Sequence, residues 1–374
     1  MKSFVEYLSR IQCLLVIIEN VQYVKVLRVN SEMITIEFRD LSSDGIPQEV
    51  QETNLILPGN YSITHDENVN FQPYKGNSFQ LRMKVMLEID KDHQANKTRG
   101  STDGFYDGIP EKWRRKDLSK YDIFSFNCQN CKQRIIDKSG YKRLNDMPSA
   151  YWEELMDYWH CHKPHIDDNN TQNIYSTKYN HSLRPTSSEL LLGGSYILCL
   201  PELENRPDHP VCIDNGLVKC SKCQYELGNH TKDNLIKLNK WNLILKTNLI
   251  ENTFDPIDEI LMSLMIFSVE QSGRHMLVHH GTEKILLWLF NTGLNVTIDN
   301  GYSWKDAMKV MYTKEEKVIA DIMKMHNVDE ITTQKLPYTR CISELQSIND
   351  KLPSALQSFG DWHVSYTELY NHRV

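Results

Sequence analysis

Much of what usually identifies an enzyme or a membrane protein is missing from this 374-residue sequence. No run of apolar residues approaches the ~20 that a membrane-crossing helix needs. The one apolar run near the N-terminus, Cys-Leu-Leu-Val-Ile-Ile at 13–18, has Arg10 before it and Glu19 after it. It also lacks a small-residue cleavage site and does not read as a leader. The expected location is therefore the cytoplasm and nucleus. Positive charge is short as well: 42 Lys and Arg against 49 Asp and Glu leave a formal net charge of −7, which argues against a general nucleic-acid binder. The basic cluster Lys112-Trp113-Arg114-Arg115-Lys116 reads as a solvated loop. No Gly-rich phosphate-binding signature and no His-Glu-x-x-His occurs. Gly193-Gly194-Ser195-Tyr196-Ile197 begins like a nucleophile elbow but lacks the glycine required at 197. Internal repeats and low-complexity blocks are absent too. Nothing here assembles a recognisable small-molecule active site.

What is present is an ordinary globular composition, 40% hydrophobic and 24% charged, long enough for two or three domains. Residues 1–90 read as β. Tyr23–Val29 and Glu32–Phe38 alternate in polarity around an Asn-Ser turn, and 79–89 is a further strand candidate. A polar, Gly-rich stretch at 90–117 reads as a linker, and a second polar stretch runs from 165 to 189. A buried strand pair is expected on either side of Gly193-Gly194. The last third reads as mixed, with helices at 255–271 and 338–352 and strands at 283–290, in Asn-Val-Thr-Ile-Asp, in Met-Lys-Val-Met-Tyr and at the C-terminal end. The expected fold class is α+β: an N-terminal β-rich domain with its linker (1–117), a zinc-stapled central domain (118–250) and a mixed C-terminal domain (251–374).

The nine cysteines include two C-x-x-C pairs, Cys128/Cys131 and Cys220/Cys223. Each follows a β-like run, the form of a zinc knuckle in which a tight turn presents two thiolates. Two knuckles make a four-thiolate ligand set, so Zn is the expected cofactor. The long separation between the pairs means that a metal would staple distant segments, where closing a loop helps most. The competing readings are buried thiols and a thioredoxin-type redox pair, which would need a βαβ setting.

A helix is expected to start after Ser149, with Glu153 and Glu154 in its first turns. Trp152, Leu155, Met156 and Trp159 fall on one face, which suits either the core or a groove in a partner. It ends in His160, Cys161, His162 and His165. The spacing resembles the H-x-H-x-D-H run of metallo-β-lactamase hydrolases, but Pro164 stands where that run has its Asp and no further cluster completes a hydrolase site.

Four pieces, in order, resemble the HECT-like family that binds ubiquitin-conjugating enzymes (E2s). They are Phe-Asn-Cys-Gln-Asn-Cys; Pro148-Ser149-x-x-Trp152-x-x-Leu155-x-x-x-Trp159-x-Cys161-His162; Val-Lys-Cys-Ser-Lys-Cys-Gln-Tyr-Glu-Leu-Gly; and a C-terminal set that includes Leu336-Pro337-Tyr338-Thr339-Arg340-Cys341. Together they span about 125 to 360. The resemblance implies a ubiquitin ligase-like protein whose C-terminal segment carries a cysteine, Cys341, as catalytic candidate. It implies an E2 contact around Lys232–Ile250. It also implies that the Trp152/Leu155/Trp159 helix docks on the metallo-β-lactamase-type endonuclease of mRNA 3′-end processing, with Cys161 and His162 capping that partner's zinc.

Two functions follow from this. One is ubiquitin transfer through Cys341, which Thr339 would place near a helix N-terminus by capping it. The other is a non-catalytic binding factor or chaperone acting through Cys161. Against the first, Cys341, Leu345, Ile348 and Leu352 form an apolar stripe at helical spacing, the mark of a core thiol. The spacing Leu336-Pro337-x-x-x-Cys341 is one residue shorter than a HECT thioester motif, and Ile342 replaces its Phe.

Overall fold

The computed structural model describes residues 1–41, 49–63, 69–88, 112–147, 184–203 and 210–368. These are mostly β-sheet, with few helices. The chain forms two compact units, one made of Met1–Ile109 with Ser263–Val374 and the other of Pro110–Met262. The expected separation of an N-terminal from a C-terminal domain differs from this grouping for one reason. The first strand, Lys2–Leu8, pairs antiparallel both with Cys13–Glu19 and with Glu283–Ile298, setting Phe4 opposite Ile298 and Tyr7 opposite Asn295.

An eleven-stranded sheet results. One arm runs from Lys2–Leu8 through Cys13–Glu19 to Ser78–Leu87 and Tyr61–Ile63. The other runs through Glu283–Ile298 and Tyr302–Thr313 to Trp362–Thr367, with His275–His280 and Val328–Thr332 paired in succession beside it. Cys13–Glu19 is the apolar run that opens the chain, and a central strand buried on both faces explains its composition.

The period-two alternation of these strands sorts their side chains into two cores. Val5, Tyr7, Leu14, Val16 and Ile18 pack with Ile34, Ile36 and Leu55 of the three-stranded sheet Val21–Val29, Met33–Asp40 and Gln51–Ile56. The Asn-Ser turn joins the first two of those strands as expected, with Asn30 Oδ1 accepting from the N–H groups of Glu32 (3.0 Å) and Met33 (2.8 Å). Phe4 and Ile17 face the other way, toward Leu286, Val296, Trp304, Ile348 and Tyr366.

The helices at Ile257–Glu270 and Lys335–Lys351 occur where periodicity placed them. The second starts three residues before its expected first residue, behind Gln334. Thr339 is not its cap; the hydroxyl lies within the helix and donates back to Lys335 O (2.9 Å) and Leu336 O (3.2 Å). A helix at Glu316–Met325 and the strand Val328–Thr332 were not expected from the sequence. That helix is short and fully buries only Ile319, but Val318 and Ile322 pack against the same core, so its apolar face was there to be read.

In the central unit a seven-stranded sheet runs in the order Arg143–Asp146, Glu189–Leu192, Tyr196–Cys199, Ile236–Asn239, Glu226–His230, Leu217–Cys220, Val211–Asp214. A four-stranded sheet holds Arg134–Asp137, Phe124–Cys128, Leu243–Thr247 and Glu251–Thr253. The chain passes from one sheet to the other through the 3-10 turn Lys240–Asn242. Lys240 there is fully buried, and its ammonium donates to Gly194 O (2.9 Å) and Lys112 O (2.7 Å). Burial pushes its pKa well down. The basic cluster at 112–116 is therefore not a solvated loop. Trp113 is buried against Phe126 and Phe254, and Arg114 pairs with Asp146 at 3.0 Å.

Asn349, buried near the end of the helix Lys335–Lys351, donates through Nδ2 to Gln357 O (2.6 Å) and Val364 O (2.7 Å), pinning the helix to the last strand. Asn349→Ala leaves two carbonyls without this donor. Urea denaturation should show a loss of about 1–3 kcal/mol relative to wild type, and an unchanged midpoint would mean that the pin contributes nothing.

Candidate metal centre

The two C-x-x-C loops are built alike. Cys128 ends the strand Phe124–Cys128 and Cys220 ends Leu217–Cys220. In the first loop the Cys128 N–H donates to Gln133 O (2.8 Å) and Lys132 N–H donates to Cys128 O (3.0 Å). In the second, the Cys220 N–H donates to Tyr225 O (2.8 Å) and Gln224 N–H to Cys220 O (2.8 Å). The residue after the second cysteine is left-handed in both, with φ 62° at Lys132 and 59° at Gln224. A left-handed non-glycine residue is uncommon, and here it turns the chain so that both sulfurs of a loop point the same way.

The loops meet through Asn242. Its carbonyl accepts the Gln129 N–H at 3.0 Å and its Oδ1 accepts the Tyr225 hydroxyl at 3.1 Å. Gly228 allows the second loop's sheet to close, since a Cβ there would lie 1.9 Å from Lys237 O. The four sulfurs come together as a result. Cys128 Sγ lies 3.7 Å from Cys223 Sγ, Cys131 Sγ lies 3.6 Å from Cys220 Sγ, and all four are within 4.8 Å of one another. A tetrahedral ion with metal–sulfur bonds of about 2.3 Å sets its ligands about 3.8 Å apart. Donor chemistry and spacing thus fit a closed four-coordinate centre that could hold a metal ion.

Electrostatics divides the four. Burial pushes the Cys220 thiol up to about 12 and raises Cys128 as well. Burial also acts to raise Cys223. There it is outweighed by hydrogen bonds from the Tyr225 backbone N–H, the Asn130 side chain and the neighbouring cysteines, which bring it down to about 6.

Cys341 belongs to the other unit. It is fully buried, on the helix face that also buries Tyr338, Leu345 and Ile348. Thr339, one turn inside the helix, leaves Cys341 in the second turn. Trp152, Leu155, Trp159, Cys161 and His162 lie outside the described residues. Of the segment 232–250, residues 235–245 are buried except for the half-buried Lys237, while 232–234, 246 and 248–250 face solvent. At its end Thr247 Oγ1 accepts the N–H groups of Leu249 (3.1 Å) and Ile250 (3.0 Å), and Lys246 pairs with Glu251 at 3.0 Å. This turn holds Leu249 at 77% exposure, with Ile123, just before the paired Phe124, at 71%. The segment expected from the sequence, Lys232–Ile250, contains Leu249 and Ile250 but did not set the turn apart from the buried strands, and it did not include Ile123; these three exposed aliphatics stand together only once the pairing of the strands is known.

The model of the HECT-like ubiquitin-conjugating enzyme (E2)-binding family matches residues 6–364. The chain belongs to that family. Its relatives include the uncharacterized protein YJR141W of Saccharomyces cerevisiae, 33% identical over 367 residues covering 98% of each chain. The uncharacterized protein C1734.10c of Schizosaccharomyces pombe is 26% identical over 72% of this chain and 81% of its own. An E3 ubiquitin-protein ligase of Homo sapiens is 22% identical over 66% of this chain and 72% of its own. No solved structure matches the chain. The family match and the ligase-named relatives support a ubiquitin-related function with an E2 as partner.

In this family member, metal capture must displace protons from at least Cys128 and Cys220, whose thiols are raised by burial. Zinc affinity should therefore fall by at least about 100-fold per pH unit as the pH drops through neutrality. Competition titrations with a chromogenic chelator at about pH 6.5, 7.0 and 7.5 measure the slope, and a pH-independent affinity would contradict the all-thiol centre.

Proposed function

We propose that this chain is a docking protein for a ubiquitin-conjugating enzyme, that zinc is the ion of its four-cysteine centre, and that it assists ubiquitin transfer without carrying a thioester of its own. The observation that carries this reading is the complete burial of Cys341 on the packed face of its helix. A thioester cysteine must be reached by the thioester of the incoming E2 and must release a thiolate to attack it. Cys341 has no surface to offer. Ligase-like activity then consists of holding a loaded E2 beside its target, a gain in proximity rather than a covalent step.

The contact expected at Lys232–Ile250 narrows, on this reading, to the turn at 246–250 with Ile123 beside it, because residues 235–245 build the sheets and the turn is what remains exposed. A rigid turn bearing exposed aliphatic side chains suits insertion into a partner's apolar groove, because little side-chain order is lost on binding.

We further propose that Trp152, Leu155 and Trp159 dock a metallo-β-lactamase-type endonuclease of mRNA 3′-end processing, and that Cys161, with His162, ligates that enzyme's zinc as a cap. Support for this is the long motif Pro148-Ser149-x-x-Trp152-x-x-Leu155-x-x-x-Trp159-x-Cys161-His162. It implies residence in the nucleus as well as the cytoplasm.

Three experiments test these readings. Leu249→Asp combined with Ile123→Asp should leave thermal unfolding close to wild type and weaken E2 capture at least tenfold, as loss of a docking hot spot does. Cys341→Ala should cost on the order of 1 kcal/mol of stability and leave ubiquitin transfer intact. A reducible ubiquitin adduct that vanishes in Cys341→Ala would sink the docking-only mechanism. For the endonuclease, Cys161→Ala should leave folding and zinc content unchanged while weakening its capture. Capture equal to wild type would remove the cap from the account.

A further inference from the structure

The four cysteines differ in exposure in a pattern that a purely structural site does not require. Cys128 and Cys220, at the strand ends, are fully buried. Cys131 and Cys223, on the outer side of each turn, are half-exposed. Two close sulfur pairs join the loops and each combines one buried with one half-exposed sulfur: Cys128 with Cys223 at 3.7 Å, and Cys131 with Cys220 at 3.6 Å.

We propose that the centre is a peroxide-responsive zinc-release site in which Cys131 and Cys223 are oxidised first and Cys220 and Cys128 resolve them across the loops. The inference rests on zinc as the bound ion, which is part of the function proposed above. The oxidant is a hydroperoxide, with hydrogen peroxide as the simplest. The half-exposed thiolate attacks one peroxide oxygen, the O–O bond breaks, and a sulfenic acid and hydroxide form. The buried sulfur then attacks the sulfenic sulfur, the S–O bond breaks, and a second hydroxide leaves as the disulfide closes. Each disulfide uses one peroxide and delivers two electrons to it. Two peroxides convert four thiolates to two disulfides, and Zn²⁺ leaves because neither disulfide sulfur retains the charge that held it.

Pairing across the loops has a consequence that pairing within them lacks. Cys128–Cys223 and Cys131–Cys220 bonds would keep the two loops joined after the metal has gone. Bonds within each C-x-x-C would leave the loops with no covalent or metal link. The site would thus give up its ion on oxidation and still hold the two sheets of the central unit together.

The test uses the full chain, loaded with zinc and treated with hydrogen peroxide under native conditions. Zinc content is measured first, released zinc is followed with a chromogenic chelator, and disulfides are mapped by non-reducing peptide mass spectrometry. Release of one zinc for about two peroxides, with peptides linked 128–223 and 131–220, is the expected result. A sulfenic-acid trap added with the peroxide should label Cys131 or Cys223 before Cys128 or Cys220. Half-exposed Cys212 serves as an internal competitor for oxidant. Bonds 128–131 and 220–223, first labelling at Cys128 or Cys220, or oxidation of Cys212 with zinc retained would each overturn the proposal. Purified protein that holds no zinc defeats the metal reading instead. The same peptide map then still decides the pairing of the sulfurs, so the two failures can be told apart.

Discussion

Four sulfurs within 4.8 Å of one another cannot all carry charge unless a cation sits among them. That repulsion is the constraint on which the central unit turns. Without an ion, burial keeps Cys128 and Cys220 protonated, and the loops are held by Asn242 and a few backbone hydrogen bonds. With an ion, four thiolates become ligands and two strand ends from different sheets become one object. The chain itself runs from one sheet to the other through Lys240–Asn242, so the loops close a ring that the chain has already half drawn.

The same economy explains the buried lysine. Lys240 lies where the chain crosses between sheets, and its ammonium ties the carbonyls of Lys112 and Gly194 into that crossing. An ammonium in such a place is tolerable only because its protons meet fixed carbonyl dipoles. The basic cluster beside it has a structural use, which is why a surface reading of Lys112–Lys116 fails: Trp113 is the anchor and the cations around it are its flanks.

What could be read from the sequence was local chemistry with a fixed spacing. The C-x-x-C pairs named their four residues, and the structure brings those four together. Alternating strands such as Met33–Asp40 and periodic helices such as Ile257–Glu270 declared themselves by their apolar spacing. What could not be read was partnership at long range. Nothing local tells Lys2–Leu8 that it will lie against Glu283–Ile298, and so the terminal thirds look like separate domains. The ring-stacked Trp288, with His275 and Trp362 around it, is likewise a product of pairing rather than of spacing. Cys341 shows the same limit. Its place in an apolar stripe was visible, whereas the early start of its helix, which moves Thr339 inward from a capping position, was set by residues before the motif.

The pairing of the first strand also bears on how the protein is made. During synthesis Lys2–Leu8 can find Cys13–Glu19 at once, but its other edge must wait until residues 283–298 have left the ribosome. The whole central unit is translated in that interval and can complete its own sheets first. Until then a strand whose side chains are nearly all buried in the finished fold has one open edge, the situation in which chains pair with the wrong neighbour. A transcript ending early would leave that edge open for good, so a truncated product would be cleared or would aggregate even with its metal loops fully formed.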